Sequence, residues 1–482
     1  MQPSLQILEA ALVERILAEA FELLWERGVT IGVAEAADLL AANSARVQDG
    51  VAHIPESLAR QALASVPREF SLYNRAGKPV VTYGGNRVHF DPGSSCVHVL
   101  DAETLEHRIS ESQDLVRLVQ IADLLPQYAA QSTAVVCNEV PKEIGDIYRL
   151  FLVLWYSDKP IVTGAFTRHS APVMIDLLAA DCGGRAKLRE KPRAIFDVCP
   201  SPPLNWSEFA AQNMMDLAHA GVPAEIVSMP IAGAAAPVTI VGSVVQHAAE
   251  TIAGITIHQL AQAGAPVVWG GAPAIFDMRS GITPMGAVET SMLNAASSQI
   301  GKALGLPTHG YLLGSDSKIV DMQAGQESGI AAVLGALAGI NMISGAGMLD
   351  SLACHSAEKL VIDAETISMA ERLLQGVQPY GGSLALEMIA KAGDKGDFLK
   401  LLETRKLFKQ EQHLPTKVIE RGSLNSWEQS GKKDTFARAK ERVRELLSAY
   451  RRPEIPIEVE GELRSFMAAQ AKRAGMNHLP GI

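Results

Sequence analysis

The segment PTHGYLLGSDSKIVDMQAGQESGIAAVLGALAGINMISGAGMLDSLACHSAEKLVID, residues 307–363, decides how the rest of the chain is read. PTHGYL is short, apolar and bounded by Pro307 and Gly314, the form of a buried strand. GSDSKIVD follows it and puts Ser315, Asp316, Ser317, Lys318 and Asp321 in one loop at the strand's carboxyl end. QAGQESGIAAVLGALAG has small apolar residues at helical spacing and predicts a helix that packs closely on a sheet. NMISGAG repeats the strand, and GMLDSLACHSAEK repeats the polar loop with Asp350, His355 and Glu358. Two βα units in tandem, each with its polar groups after the strand, are what a (β/α)8 barrel uses to gather side chains at one face.

The same texture extends toward the amino terminus. Short apolar runs recur as RVHFD (87–91), STAVVC (132–137), PIVTGAF (160–166), RAIFDVC (193–199), AEIVSM (224–229) and PVVWGG (266–271). Helical stretches separate the later runs at about 146–156, 170–179, 207–219, 242–262, 288–304 and 323–338. With PTHGYL and NMISGA the strands number eight, which predicts a closed TIM barrel over residues 81–360. The competing open, doubly wound sheet lacks support, because no strand leads into GxGxxG or GxxxxGK[ST]. Residues 1–80 read as an N-terminal helical subdomain, its first helix capped by Ser4 and closed by Gly28. Residues 361–482 read as a C-terminal helical extension packed on the barrel, ending near the amphipathic FARAKERVRELLSAYRR.

Composition narrows the class of partner. The 482 residues include 43 basic and 53 acidic side chains, a formal charge of −10, with no basic run, which disfavours nucleic acid and anionic membranes. A hydrophobic share of 48% is enough for a large core. Five scattered cysteines without a CxxC predict a reducing compartment and no structural zinc. The amino terminus carries Glu9, Glu14, Arg15 and Glu19 at regular intervals, an amphipathic helix and not a signal segment. No uncharged apolar run of about 18 residues appears, so no membrane span is expected and a cytoplasmic location is.

In a barrel, only residues at the carboxyl ends of the strands converge on one pocket. These are Asp91, Asn138 with Glu139, Gly164 with Phe166, Ser201, Met229, Trp269 with Gly270, Tyr311 with Asp316, and the loop after Gly345. Phe90, Phe166, Trp269 and Tyr311 fall there although aromatics are only 5% of the chain, and Asp91, Glu139, Asp316, Asp321 and Asp350 add carboxylates. Rings beside a carboxylate can hold a fixed positive charge, or they can simply pack the mouth. Ser315, Ser317 and Lys318 could bind an anion. Asp350, Cys354 and His355 could touch a metal but lack a second His at ligand spacing. No GxSxG supports a serine nucleophile. Glu289 reads as a helix-dipole partner, and His169 and His258 as packing residues on helices.

Three long motifs, GAVETSMLNAASSQIGKALGLPTHG, GSDSKIVDMQAGQE and INMISGAGMLDS with SAEKLVIDAE, make the chain resemble the trimethylamine methyltransferase (MttB-like) family. HIPESLARQALASVP agrees, and the likeness covers essentially the whole chain. The resemblance implies a barrel that moves a methyl group from a methylated amine to the cobalt of a corrinoid (cobalamin) held by a separate small protein. No tightly bound cofactor or metal is expected in this chain. Trimethylamine-using members carry pyrrolysine, which the resemblance puts in SGAGMLD near Ala346; ordinary residues stand there, as in the branch that demethylates quaternary amines such as glycine betaine. The expected site is then Asp316, Asp350 and the Ala346 position for catalysis. Phe166, Trp269 and Tyr311 are expected to hold the cation, and Lys318 or His355, or backbone amides of the last loop, a substrate carboxylate. A homo-oligomer is also expected. Two other readings are a zinc-dependent methyltransferase for a methoxy or thiol compound, with Cys354 or His355 as ligand, and a non-catalytic barrel that binds methylated amines.

Overall fold

Eight parallel strands occupy the eight predicted windows in the computed structural model, which describes residues 2–480 except 168, 169 and 381. They are β1 (His89–Pro92), β2 (Gln131–Ser132), β3 (Ile161–Gly164), β4 (Ala194–Val198), β5 (Ala224–Ser228), β6 (Val267–Gly271), β7 (His309–Tyr311) and β8 (Met342–Ala346). β2 to β6 form one ladder and β7, β8 and β1 another. A bridge between Trp269 and Thr308 joins β6 to β7, and the Ala129 amide donates to the Phe90 carbonyl at 2.9 Å, which closes the barrel.

The helices that follow are α1 (Ser112–Leu124), α2 (Lys142–Tyr156), α3 (Ser170–Cys182), α4 (Glu208–Ala220), α5 (Ile240–Ala261), α6 (Val288–Ala303), α7 (Met322–Leu337) and α8 (Ala357–Leu374). Side chains satisfy free amides at several of the starts: Asp321 accepts from Ala324 and Ser356 from Lys359, while Glu111 and Asp114 form a capping box. α5 is long and apolar enough to cross a membrane, yet 83% of its apolar window is buried inside the protein. It lies between the barrel and the amino-terminal helices Ala10–Glu26, Ala34–Ala42 and Glu56–Ser65, so it is apolar all round for packing reasons.

Residues 1–80 are not purely helical. Strands Val29–Ile31, Arg46–Gln48 and Val51–His53 form a small sheet completed by Asn205–Trp206 from the barrel. A hairpin, Phe70–Tyr73 with Pro79–Tyr83, closes the barrel floor; its Leu72, Val81 and Tyr83 meet Val162, Ile195, Val268 and Met342. In the C-terminal extension, helices Thr435–Ala449 and Ile457–Arg473 pack on α1, α2, α3 and α8. Helices Leu386–Ala392 and Leu402–Glu411 bury no residue, and Leu384 and Leu399 are 80% and 82% exposed. That middle portion stands on the surface and adds nothing to the core.

Candidate active site

Alternate residues of a strand share a face, so each barrel strand sends a fixed subset inward. The lowest inward layer is the apolar floor. The next layer is polar, formed by Asp91 of β1, Asp197 of β4, Glu225 of β5, His309 of β7 and Ser344 of β8. Asp197 and Glu225 stand side by side in register on neighbouring strands. Gly270 leaves the space beside them: a Cβ there would lie 2.4 Å from the Glu225 carboxylate.

A chain of hydrogen bonds crosses this layer. Ser344 donates to Asp91 Oδ1, His309 Nε2 lies 2.6 Å from Ser344 Oγ, and His309 Nδ1 contacts Glu225 Oε2. Tyr311 donates to Asp197 Oδ2 at 2.6 Å and stacks on His309 with ring centroids 5.1 Å apart. Asp91 Oδ2, Asp197 Oδ1, Glu225 Oε1 and the Tyr83 hydroxyl are buried with no hydrogen-bond partner.

Loss of water dominates the electrostatics. Burial raises Asp91 and Glu225 well above the carboxylate range, and burial together with the Glu225 charge pushes Asp197 up to about 7. Burial lowers His309. The Glu225–His309 contact is therefore a neutral pair, the Glu225 carboxyl donating to Nδ1 and Nε2–H donating onward to Ser344. Above the layer, Val227, Ala272, Ala274 and Met285 pack with Cys199, Met229, Tyr311 and Leu352 as an apolar collar. Asp197 and Tyr311 keep partial access at that end, whereas Asp91, Glu225 and His309 are fully buried.

Of the residues singled out from sequence, Asp91 and Tyr311 lie in this site and Phe166 at its rim. The Phe166 ring folds over Gly164 at the end of β3, half exposed, with the Arg149 guanidinium 5.4 Å from its centre. Asp316 is a clamp: it accepts from the Met285 and Gly286 amides at 2.7 and 3.0 Å and from Ser351 Oγ at 2.7 Å, tying together the loops after β6, β7 and β8. Lys318 and Asp350 pair with each other at 2.8 Å on the partly exposed rim. Trp269 points away from the lumen, into the helix layer, where its Nε1 donates to the Ser297 carbonyl at 2.9 Å. It faces outward because it neighbours the lumen-facing Gly270 on β6, and so it cannot cradle a substrate.

His355 is fully buried, and burial with the nearby Lys359 lowers it to about 3. Its ring fills the space that a Cβ on Gly347 (φ +83°) would need, and both ring nitrogens are buried without a hydrogen-bond partner. Ala346 lies beyond a β-bulge in β8, paired with Pro92 and fully buried. Cys354 is buried, and burial with the Asp350 charge pushes its thiol up to about 12. His258 is buried on α5 as a packing residue. His169 lies outside the described residues.

Asp197, Glu225, His309 and Ser344 are not at the carboxyl ends of their strands but lie within them, where only tertiary register shows which side chains face inward. A signal was present: Asp197 in RAIFDVC and Glu225 in AEIVSM are carboxylates inside runs that had to be buried. Asp197, Glu225 and His309 also bring possible ligand atoms within 4.8 Å of one another. Both His309 nitrogens are already engaged, so a metal there would have to displace Glu225 or Ser344.

A closed (β/α)8 barrel with a buried acidic lumen at its carboxyl face defines the general class. The family model for trimethylamine methyltransferase (MTTB) matches residues 1–475, and the chain belongs to that family. Trimethylamine methyltransferase MttB1 of Methanosarcina mazei is 32% identical over 433 residues, covering 88% of this chain and 87% of that protein. The glycine betaine methyltransferase of Desulfitobacterium hafniense is 27% identical over 476 residues, covering 98% of each. Among solved structures, the monomethylamine methyltransferase of Methanosarcina barkeri superposes with a TM-score of 0.52 at 11% identity, covering 90% of this chain and 87% of that one. This last likeness concerns the fold.

Proposed function

We propose that the protein transfers a methyl group from a quaternary ammonium compound, of the type to which glycine betaine belongs, to a corrinoid carried by a separate small protein. The observation that carries the reading is the lumen: three carboxylates with unpartnered oxygens at the barrel's carboxyl face, in a chain of this family. Ionised and unpaired, buried carboxylates are unfavourable by several kcal/mol each. A permanent cation that donates no hydrogen bond balances an ionised Asp197, whose carboxyl titrates at about 7, through charge alone.

The rim suits a partner that presents an apolar macrocycle. Val97, Phe166, Val238, Met278, Ile282 and Met322 are exposed in segments that follow barrel strands, at the same end as the carboxylates. When bound, the reduced corrinoid supplies the nucleophile that accepts the methyl group. Asp197 carries the charge that faces the ammonium nitrogen, Tyr311 fixes it, Asp91 and Glu225 line the space beside it as neutral carboxyls, and the collar of Val227, Met229, Met285 and Leu352 keeps water out. The breaking C–N bond leaves its electron pair on nitrogen. A quaternary centre thus departs as a neutral tertiary amine and no acid is required of the chain. Deep burial lets Glu225 and Asp91 stay protonated, so the lumen need not over-bind a charge that disappears as the methyl leaves.

Free cob(I)alamin, followed by its visible spectrum with a panel of quaternary amines and trimethylamine, tests this. Turnover with a quaternary amine and none with trimethylamine is the expected result. No transfer to the cognate corrinoid protein from any of them would sink it. The Asp197, Glu225 and His309 cluster favours a second reading, a metal-dependent transferase, for which stoichiometric metal in the purified protein and loss of activity on chelation are the signature.

A further inference from the structure

We infer that the segment between α8 and the helix Thr435–Ala449 is a dimerisation arm, covered in solution by the same arm of a second copy of this chain. From 371 to 417 no described residue is buried, although the segment forms the helices Leu386–Ala392 and Leu402–Glu411. Helices of 7 and 10 residues are marginal in water unless one face is packed. Ten large apolar side chains between 377 and 414 are exposed, among them Leu384, Leu386, Ile389, Leu399, Leu402 and Phe408. A segment this apolar is not a solvated linker. Ten such side chains surpass the patch of about 300–600 Å² that a monomer ordinarily leaves open, and they are of the order that one partner of a standard interface covers, about 800 Å².

The arm is rooted at the end of the barrel opposite the site. α8 begins beside the mouth, where the Ser356 amide donates to the Gly347 carbonyl at 2.9 Å, and its 18 residues run about 27 Å down the barrel wall. Toward its far end Ser368 accepts from Gln127 at 2.9 Å, shortly before β2 begins at the floor. The arm leaves and returns there: Arg372 donates to the Gly376 carbonyl at 3.1 Å and to the Glu411 carbonyl at 2.8 Å. The corrinoid protein of the proposed function works over the carboxyl ends of the strands, so it does not account for an apolar arm at the floor. That step alone rests on the functional reading.

Shape and charge both fit the arm to a copy of itself. Tyr380, Leu384, Met388, Leu407 and Phe408 line a groove of about 590 Å³ on the arm. Leu386, Leu399 and Leu402 are exposed outside that groove. An apolar groove and apolar knobs on one surface suit an isologous, two-fold contact, because each copy supplies both halves. The whole chain carries −10, so two copies repel in general, whereas residues 376–415 hold six basic and five acidic side chains. Two of the acidic groups are paired within the arm, Glu403 with Lys391 at 2.6 Å and Asp397 with Lys400 at 2.5 Å. On this surface two copies meet without opposing charge.

Sedimentation velocity on the full-length protein at micromolar concentration tests the inference. The expected species has about twice the 51.5 kDa mass of one chain. Leu399→Glu combined with Leu402→Glu puts like charges across the contact and is expected to weaken it roughly 100-fold or more, leaving a monomer with the wild-type circular dichroism spectrum. Hydrogen exchange gives a second readout without any substitution: amides of both arm helices are expected to exchange more slowly as protein concentration rises through the dimerisation range. A wild-type monomer throughout that range overturns the inference, and so does a dimer that the double substitution leaves intact. Protection of the arm only on adding the cognate corrinoid protein would assign the surface to that partner and overturn it equally. Methyl transfer is measured apart from all of these, so failure of the arm and failure of the functional reading are told apart.

Discussion

Tyr311 donates its phenolic hydrogen to Asp197 at 2.6 Å, joining β7 to β4 across the lumen between residues 114 apart in the chain. The bond fixes the one lumen carboxylate with partial access from the mouth, and it leaves Asp197 Oδ1 free to face a ligand.

Replacing Tyr311 with Phe removes that donor and keeps the ring that stacks on His309. The hydrogen bond holds Asp197 down against burial, so its loss moves the carboxyl further above about 7. Cation affinity at pH 7 is expected to fall roughly 10-fold, with the acidic limb of binding displaced to higher pH. Calorimetric titrations at several pH values read both; an unchanged profile would exclude Asp197 as the titrating ligand.

Asp197 also ties ligand binding to pH. Below about 7 it holds a proton and cannot balance a cation, so affinity strengthens as pH rises through that value. Stability of the ligand-free protein runs the other way. The folded state keeps a proton that the unfolded chain releases near 4, so the contribution is fullest below about pH 4 and is lost as pH rises toward 7. The rise in Tm caused by tetramethylammonium should therefore be larger at pH 8 than at pH 5. An equal rise at both would show that no carboxylate titrates with binding.

Trp269 separates packing from function. Trp269→Phe removes the hydrogen bond to Ser297 and some of the contact with Gly301, and is expected to destabilise the fold by about 1–3 kcal/mol. Since the indole faces the helices, kcat/KM should change less than about threefold. Urea unfolding beside steady-state kinetics checks this, and a large kinetic effect with unchanged stability would return Trp269 to the pocket.

Gly270→Ala tests the lumen from inside. The added methyl would sit 2.4 Å from the Glu225 carboxylate, in contact with a group that the buried His309 also holds. Overpacking of this kind costs about 1–3 kcal/mol. Ligand binding should weaken beyond that loss of stability, because the carboxylate itself is displaced. Wild-type affinity in a folded variant would show that Glu225 does not face the ligand.

The barrel was legible from the strand windows because each buried strand is a short apolar run, and a parallel sheet with helices on its outer side makes such runs nearly continuous. The N-terminal small sheet was not, since Arg46–Gln48 and Val51–His53 are brief and gain their place by pairing with each other, and through Val29–Ile31 with Asn205–Trp206. The surface position of Leu384 and Leu399 was equally hidden, because an apolar residue carries no mark of which neighbour, if any, covers it.

Sequence alone determined the eightfold alternation and the family motifs, and it brought Asp91 and Tyr311 forward as strand-end candidates. Only the tertiary structure decided the company Tyr311 keeps. Asp91, Asp197, Glu225, His309 and Ser344 come from five strands and meet because each occupies an inward position at one height in the barrel. Trp269, one residue from the inward Gly270, turns outward, and the bulge before Ala346 changes what that residue pairs with. Side chains alternate every residue along a strand, so inward or outward depends on register to a single position. Register is fixed by the neighbouring strands and not by the strand's own residues.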